Sequence, residues 1–284
     1  MTQFSALQHE ADGLSAGLPP LMVEADHLAA SVSLGVHGRR RAGIGESFWQ
    51  FRRYASPDSS SAIDWRQSAK SQHIFVRERE WEAAQTIWFW RDASANMSFK
   101  SGAVTKRARA DLLLLALASL LVRGGERVGF TGMEGAPASS RLALTRIGRA
   151  MFASGRGVLP PLVPFARGNQ LVWFSDFLDE EVFDAMKKLS QRGVEGHLVR
   201  IVDPAEEDFP YSGRTRFESP RGEDEEEIFG RAEQVRTSYR ARFTAHGERV
   251  AQAAARLGWT CTVHRTDHAP QASLIALHAA MGGT

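Results

Sequence analysis

Thr86-Ile87-Trp88-Phe89-Trp90-Arg91-Asp92-Ala93-Ser94-Ala95-Asn96-Met97 is the stretch that decides how this chain folds. A short run rich in bulky apolar side chains stops on an aspartate, with a serine two positions later and an asparagine two beyond that. The run predicts a buried strand. The Asp-x-Ser-x-Asn group then falls on the loop at the strand's carboxyl end, the edge where open α/β sheets bind ligands. Three oxygen-bearing side chains at alternate positions suit a hard divalent cation.

Outward from this strand the pattern alternates. A helix is expected over about Thr105–Arg123 and stops at Gly124-Gly125, where a left-handed residue closes a helix. Arg127–Thr131 reads as the next strand and Arg141–Leu144 as a third, with Thr145 just ahead of a short helix over Arg146–Ala153. Leu171–Phe174 is another apolar strand and ends in Ser175-Asp176. Asp179–Arg192 carries acids in its first turn, the stripe Val182, Phe183, Met186 and Leu189, bases near its end and Gly193 after it, the full set of helix signals. His197–Val202 and Thr260–His264 are strands. A long helix from the acidic run Glu223–Glu227 to about Leu257 and a last one over Leu274–Met281 complete the series. Strands alternating with helices predict a doubly wound α/β domain with a mainly parallel, Rossmann-like sheet at residues 85–284. Residues 1–84 are read as an N-terminal extension packed on it.

Composition bounds the function. The 284 residues suffice for one large domain and its core, and 43% hydrophobic with 24% charged residues is ordinary for a globular chain. A net charge of +2 does not predict nucleic-acid binding. The single cysteine, Cys261, rules out an intrachain disulfide framework, and no secretory signal opens the sequence, so a reducing, cytoplasmic setting is expected. Leu112–Val122, the longest apolar run, is about half the ~20 residues a membrane span needs and reads as a buried helix.

Three predicted loops bring chemistry to one sheet edge. Asp92, Ser94 and Asn96 follow one strand, Asp176 ends another, and Thr145 stands at a third strand-to-helix junction. Together they offer the oxygens for Mg²⁺ or Mn²⁺, with water completing an octahedron. The simpler alternative is that the aspartates only cap helices and orient loops.

These five positions resemble the metal-ion-dependent adhesion site of von Willebrand factor A domains, Asp-x-Ser-x-Ser followed by a distant Thr and Asp. Asn96 stands where that pattern has its second serine. A second segment resembles the bacterial domain-of-unknown-function family fifty-eight, a von Willebrand factor A-like group. It runs from Phe51-Arg52-Arg53-Tyr54 through Pro57-Asp58 and Ile63-Asp64-Trp65 to Ser68-Ala69-Lys70 and Val76-Arg77-Glu78. Phe174-Ser175-Asp176-Phe177, Val202-Asp203-Pro204 and Thr266-Asp267 match in order, so the likeness covers roughly residues 35 to 280. It implies an accessory role in protein–protein interaction beside a MoxR-type AAA+ ATPase, in the maturation or assembly of other proteins. A membrane or client protein of the same pathway would be a further partner. It implies no catalytic residue. Two alternatives stay open: a metal-dependent hydrolase or nuclease at the same edge, and a metal-free scaffold in which Asn96 marks a decayed site. Against the enzyme stands the lack of a general base with a recognisable partner near Asp92 or Asp176.

Other motifs carry less. Arg52, Arg53, Asp58, Asp64, Lys70 and Arg77 are expected to form an ionic network under Trp65, with a structural role favoured and a docking surface as the alternative. Gly13-Leu14-Ser15-Ala16-Gly17 matches a nucleophile elbow but lacks the strand and helix that an elbow joins. His264 and His268 straddle a strand end and read as a surface pair. Cys261 reads as a small buried hydrophobe. Arg39–Arg41 plus Arg52-Arg53, with Phe48, Trp49 and Phe51 for stacking, is the best polyanion candidate, and a loop paired to the domain's own carboxylates is the favoured reading of it.

Overall fold

Thr86–Arg91 is a strand, buried from Ile87 onward, at the second position of a five-stranded sheet. The computed structural model describes residues 18–33, 48–55, 59–60, 63–79, 84–153, 155, 157–218 and 226–281. In chain order the elements are α1 (18–33), β1 (Phe48–Arg53), α2 (Trp65–Ser68), β2 (Phe75–Arg79), β3 (Thr86–Arg91), α3 (Lys106–Arg123), β4 (Arg127–Phe130), α4 (Arg141–Ala153), β5 (Gln170–Ser175), α5 (Glu181–Gln191), β6 (Glu195–Val202), α6 (Pro204–Asp208), β7 (Thr215–Glu218), β8 (Glu226–Phe229), α7 (Arg236–Arg256), β9 (Thr260–Arg265) and α8 (Pro270–Met281).

The central sheet runs β4-β3-β5-β6-β9 with every pair parallel. Parallel strands must be joined by crossovers, and right-handed crossovers fix the face on which each helix lies. The chain moves one way from β3 through α3 to β4, and the other way from β5 through α5 to β6. Helices therefore cover both faces, which makes the fold doubly wound α/β, as the sequence predicts. α3, α4 and α8 pack together, and α5 packs with α7. α3 is buried almost all round, including the whole run Ala110–Leu121, which explains its unbroken apolar sequence. Gly125 and Gly193 close α3 and α5 at φ values of 88° and 76°, in the left-handed region that disfavours a side chain.

The chain divides into two units, residues 1–36 with 85–284, and residues 37–84. The expected extension over 1–84 is therefore not one element. α1 belongs to the larger unit: Ala25, Leu28, Ala29 and Val32 are in its core, and Asp26 binds Ser119 of α3 and pairs with Arg123 and Arg141. A Cβ on Gly148 would meet Leu18 at 2.4 Å, so α1 and α4 touch where the glycine leaves room.

The smaller unit holds the antiparallel pair β1–β2 and the single turn α2. The ionic network was expected under Trp65, around Asp64. Trp65 is 66% exposed, and Asp64 uses its carboxylate to cap α2 through the Gln67 amide at 2.9 Å. Asp58 and the side chains of Arg52 and Arg77 lie outside the described residues, as do Gly13–Gly17 and Arg39–Arg41.

Two sequence expectations are corrected. Arg141–Leu144 is the first turn of α4, not a strand, because Ala143, Leu144, Ile147 and Met151 bury one helical face. The acidic run does not open the long helix: Glu226–Phe229 pairs with β7 as a hairpin, and α7 begins at Arg236. No helix among the described residues is long and apolar enough to cross a membrane.

Candidate functional site

The order β4-β3-β5-β6-β9 reverses direction between β3 and β5. Loops leaving the carboxyl ends of these two neighbours diverge there and open a crevice, the place where doubly wound sheets hold ligands. Asp92 follows β3 and Asp176 follows β5, so the sequence placed both carboxylates at the switch point.

Asp92 is 1% exposed. Its Oδ1 accepts the Ser94 amide at 2.7 Å and its Oδ2 the Ser175 hydroxyl at 2.7 Å. Burial pushes its carboxyl above the usual aspartate range, against those two hydrogen bonds, and the nearby Asp176 adds to the rise. Ser94 precedes a 3₁₀ turn over Ala95–Ser98, and Asn96 on that turn is half-buried. Asp176 Oδ1 accepts the Leu178 amide at 3.1 Å.

Thr145 is not brought to this edge by a strand-to-helix junction. It lies in the second turn of α4. The bridge between Val128 and Ala138 shows the reason: after β4 the chain turns back beside that strand before α4 begins. The segment that meets the edge follows α4 instead, where the Gly157 carbonyl accepts the Ala93 amide at 2.8 Å.

Sequence reasoning missed the cation here. Lys106, the first residue of α3, is 0% exposed. Its Nζ donates to Asp176 Oδ2 at 2.9 Å and to Glu206 Oε1 at 2.6 Å. Burial disfavours the ammonium, but the two carboxylates outweigh it and hold the lysine above its ordinary pKa. Burial raises the Glu206 carboxyl, opposed by Lys106. The signal was present in the sequence. Lys106 and Arg107 open a helix that has no acid in its first turn, against the helix dipole, and such a violation calls for a compensating anion elsewhere.

Asp203, fully buried after β6, ties the neighbouring loops together. It accepts the Ser101 amide at 2.9 Å, the Ser101 hydroxyl and the Ala205 amide at 2.9 Å. Glu206 returns the capping box by accepting the Asp203 amide at 2.9 Å through Oε2, which leaves Oε1 for Lys106. Beneath Asp92, Arg91 Nε lies 2.8 Å from Asp111 Oδ1 of α3, an ion pair without linear hydrogen-bond geometry, and Arg91 donates to the Met151 carbonyl at 2.8 Å.

Beside this network opens a cavity of about 650 Å³. Asn96 and Glu206 are on its wall, with Phe209, Tyr211, Phe217 and Tyr239 forming an aromatic lining. These rings pack on one another, Phe209 and Tyr239 at 4.6 Å between centroids and Tyr211 and Phe217 edge-on at 5.0 Å. Burial and the neighbouring Glu206 push the Tyr239 phenol up to about 12, so it stays a neutral donor at any physiological pH.

The divalent ion expected on Asp92, Ser94, Asn96, Thr145 and Asp176 does not fit this arrangement. Thr145 sits in mid-helix, Asp176 is bound to an ammonium, and both oxygens of Asp92 accept hydrogen bonds. Among the described residues no group of three His, Cys, Asp or Glu side chains is arranged to hold a metal ion. The His264 imidazole is buried and bonded to Ser273 at 2.6 Å, and burial pulls its pKa to about 4, so the pair with exposed His268 is not a joint site. Cys261 is half-buried, with its thiol pushed up by burial.

The family described as "Protein of unknown function DUF58" matches residues 50–249, and the chain belongs to that family. No curated protein matches. Among solved structures the chain is similar to a conserved hypothetical protein, BatB, from Bacteroides thetaiotaomicron, at 12% identity and a TM-score of 0.36, covering 71% of this chain and 100% of that one. It is also similar to an aerotolerance-related membrane protein from Bacteroides fragilis, at 13% identity and a TM-score of 0.35, again covering 71% and 100%.

Proposed function

We propose that this member of the DUF58 family is a protein–protein interaction factor that works with a MoxR-type AAA+ ATPase in the maturation or assembly of other proteins. The partner docks at the carboxyl edge of β3, β5 and β6. The observation that carries this reading is the open cavity of about 650 Å³ at that edge. Its aromatic lining gives a partner side chain apolar area to bury, and buried aromatic pockets are where interfaces concentrate their binding energy. The network of Asp176, Lys106, Glu206 and Asp203 behind it holds the surrounding loops in one arrangement, which lowers the entropy lost on docking. The family resemblance supplies the class of partner.

The test is capture of the tagged chain's partners from its host, read for an AAA+ ATPase by mass spectrometry. The control is Arg242→Glu, at an exposed residue on the cavity wall. Enrichment of the ATPase over an untagged control, reduced several-fold by Arg242→Glu, is the expected result. No enrichment, or enrichment indifferent to the substitution, would remove the reading.

A further inference from the structure

We infer that the Lys106 ammonium is the resident cation of the switch-point edge, tethered to Asp176, one of the carboxylates an adhesion-type site would offer a divalent ion, so that this site is built and works without metal. The inference does not depend on which partner docks.

Four observations carry it. The ammonium is wholly buried and within 2.9 Å of Asp176 and 2.6 Å of Glu206, so it bridges β5 to α6 as a cation bridges its ligands. Asp176 is one of the two aspartates at the point where the sheet order reverses. Each carboxylate also accepts from protein donors: Asp92 from Ser94 and Ser175, Asp176 from Leu178, and Glu206 from the Asp203 amide. Lastly, Lys106 stands at the start of an 18-residue helix, where the macrodipole repels a cation. A buried lysine at that place persists only because anions hold it there. A divalent ion entering beside Asp176 would meet this ammonium at close range in a poorly solvated setting, where like charges repel strongly.

Charge arithmetic gives the same answer. One ammonium between two carboxylates leaves a net charge of −1, which the amides and hydroxyls around it can accommodate. With Lys106 removed, Asp176 and Glu206 lose the cation that contacts them both, Arg200 acts on them only from longer range, and Asp92 adds a third carboxylate near Asp176. That cluster would recruit a cation from solution.

The test uses the purified full chain with MgCl2 and MnCl2 as probes. Wild-type protein is expected to give no heat on calorimetric titration with either salt, and the same thermal midpoint with EDTA or with excess Mg²⁺. Lys106→Met, which keeps length and removes charge, is expected to lower the midpoint by roughly 6–20 °C. Added Mn²⁺ should restore part of that loss, because an ion that binds only the folded state stabilises it. Asp176→Asn with Glu206→Gln in the Lys106→Met background should regain stability and lose the Mn²⁺ response. A wild-type chain that binds either ion, or whose midpoint falls with EDTA, would overturn the inference, and that arm stands even where Lys106→Met fails to fold. A folded Lys106→Met that loses nothing in stability would overturn it too. Because no partner is present, the result is separate from the fate of the proposed ATPase interaction.

Discussion

Replacing Arg91 by methionine tests how the edge is anchored from below. Arg91 and Asp111 are nearly sealed from solvent, with side chains 2% and 7% exposed, and their charges lie 2.8 Å apart. Methionine keeps the stem and deletes the guanidinium, so Asp111 stays buried with only Arg107 in reach of its charge. Losing one partner of a buried pair costs about 3–5 kcal/mol. The Met151 carbonyl also loses a donor at 2.8 Å, about 1 kcal/mol more. A deficit of roughly 4–6 kcal/mol at neutral pH, with a urea slope near 2 kcal/mol per molar, lowers the unfolding midpoint by about 2–3 M. The sign of the pH dependence is fixed as well. Burial holds the Asp111 carboxyl above its unfolded value, against the pull of Arg91 and Arg107, so the folded chain binds the proton more tightly than the unfolded one. Its ionisation therefore removes stability as pH rises from the unfolded value, near ~3.9, through the raised folded one. Without Arg91 the folded value rises further. The deficit should be largest at neutral pH and shrink as pH falls through that value, when Asp111 takes up a proton. Arg91→Met/Asp111→Leu, with no buried charge left over, should regain most of the loss. Urea titrations at several pH values decide it. A single variant within about 1 kcal/mol of wild type, a deficit equal at pH 5 and pH 8, or a double variant no better than the single one refutes the reasoning.

Gly196→Ala would place a Cβ 2.0 Å from two ring atoms of Trp259, which is buried and bonded to the Val194 carbonyl, so the ring cannot retreat freely. Overpacking of about 1–3 kcal/mol or more is expected, visible as a lower midpoint in scanning calorimetry. Thr145→Ala should leave the thermal midpoint within about 2 °C of wild type and the capture of an ATPase unchanged, since alanine suits a helix at least as well as threonine. Lost capture in that variant would return Thr145 to the site.

How much was legible depended on whether local and tertiary preferences agreed. Thr86–Arg91, Gln170–Ser175 and Glu195–Val202 were readable because buried parallel strands carry short apolar runs ended by aspartate or serine. α5 carries its own start, stripe and stop within a dozen residues. Arg141–Leu144 failed because four residues of mixed polarity fit a strand or a helix equally well, and only the burial of Ile147 and Met151 one and two turns on settles the matter. Glu226–Phe229 failed because its strand exists only through pairing with Thr215–Glu218, a partner that no local pattern announces. In the site, Asp92 and Asp176 were found as ends of strands, with the Asp-x-Ser-x-Asn spacing marking the first of them. Glu206 was hidden, since its backbone signal, the Asp203-Pro204-Ala205-Glu206 capping box, explains it without reference to Lys106.

The placement of Lys106 follows from the topology. Asp92 and Asp176 end adjacent strands whose connections run to opposite sides of the switch point. The connection from β3 leads into α3, which starts beside that edge, with Arg107 donating to the Ala93 carbonyl. The first residue of α3 can therefore reach Asp176 with a long side chain, and a lysine there meets it without a loop having to close. A cation fixed this way loses no translational freedom on binding and cannot dissociate, so the geometry of Asp176, Glu206 and α6 is independent of ion supply. A partner reading this edge would thus meet a constant charge pattern and a preformed aromatic wall. Regulation of such an interface would fall to the partner, and the ATPase proposed above, whose conformation would change with its nucleotide, is of the kind able to provide it.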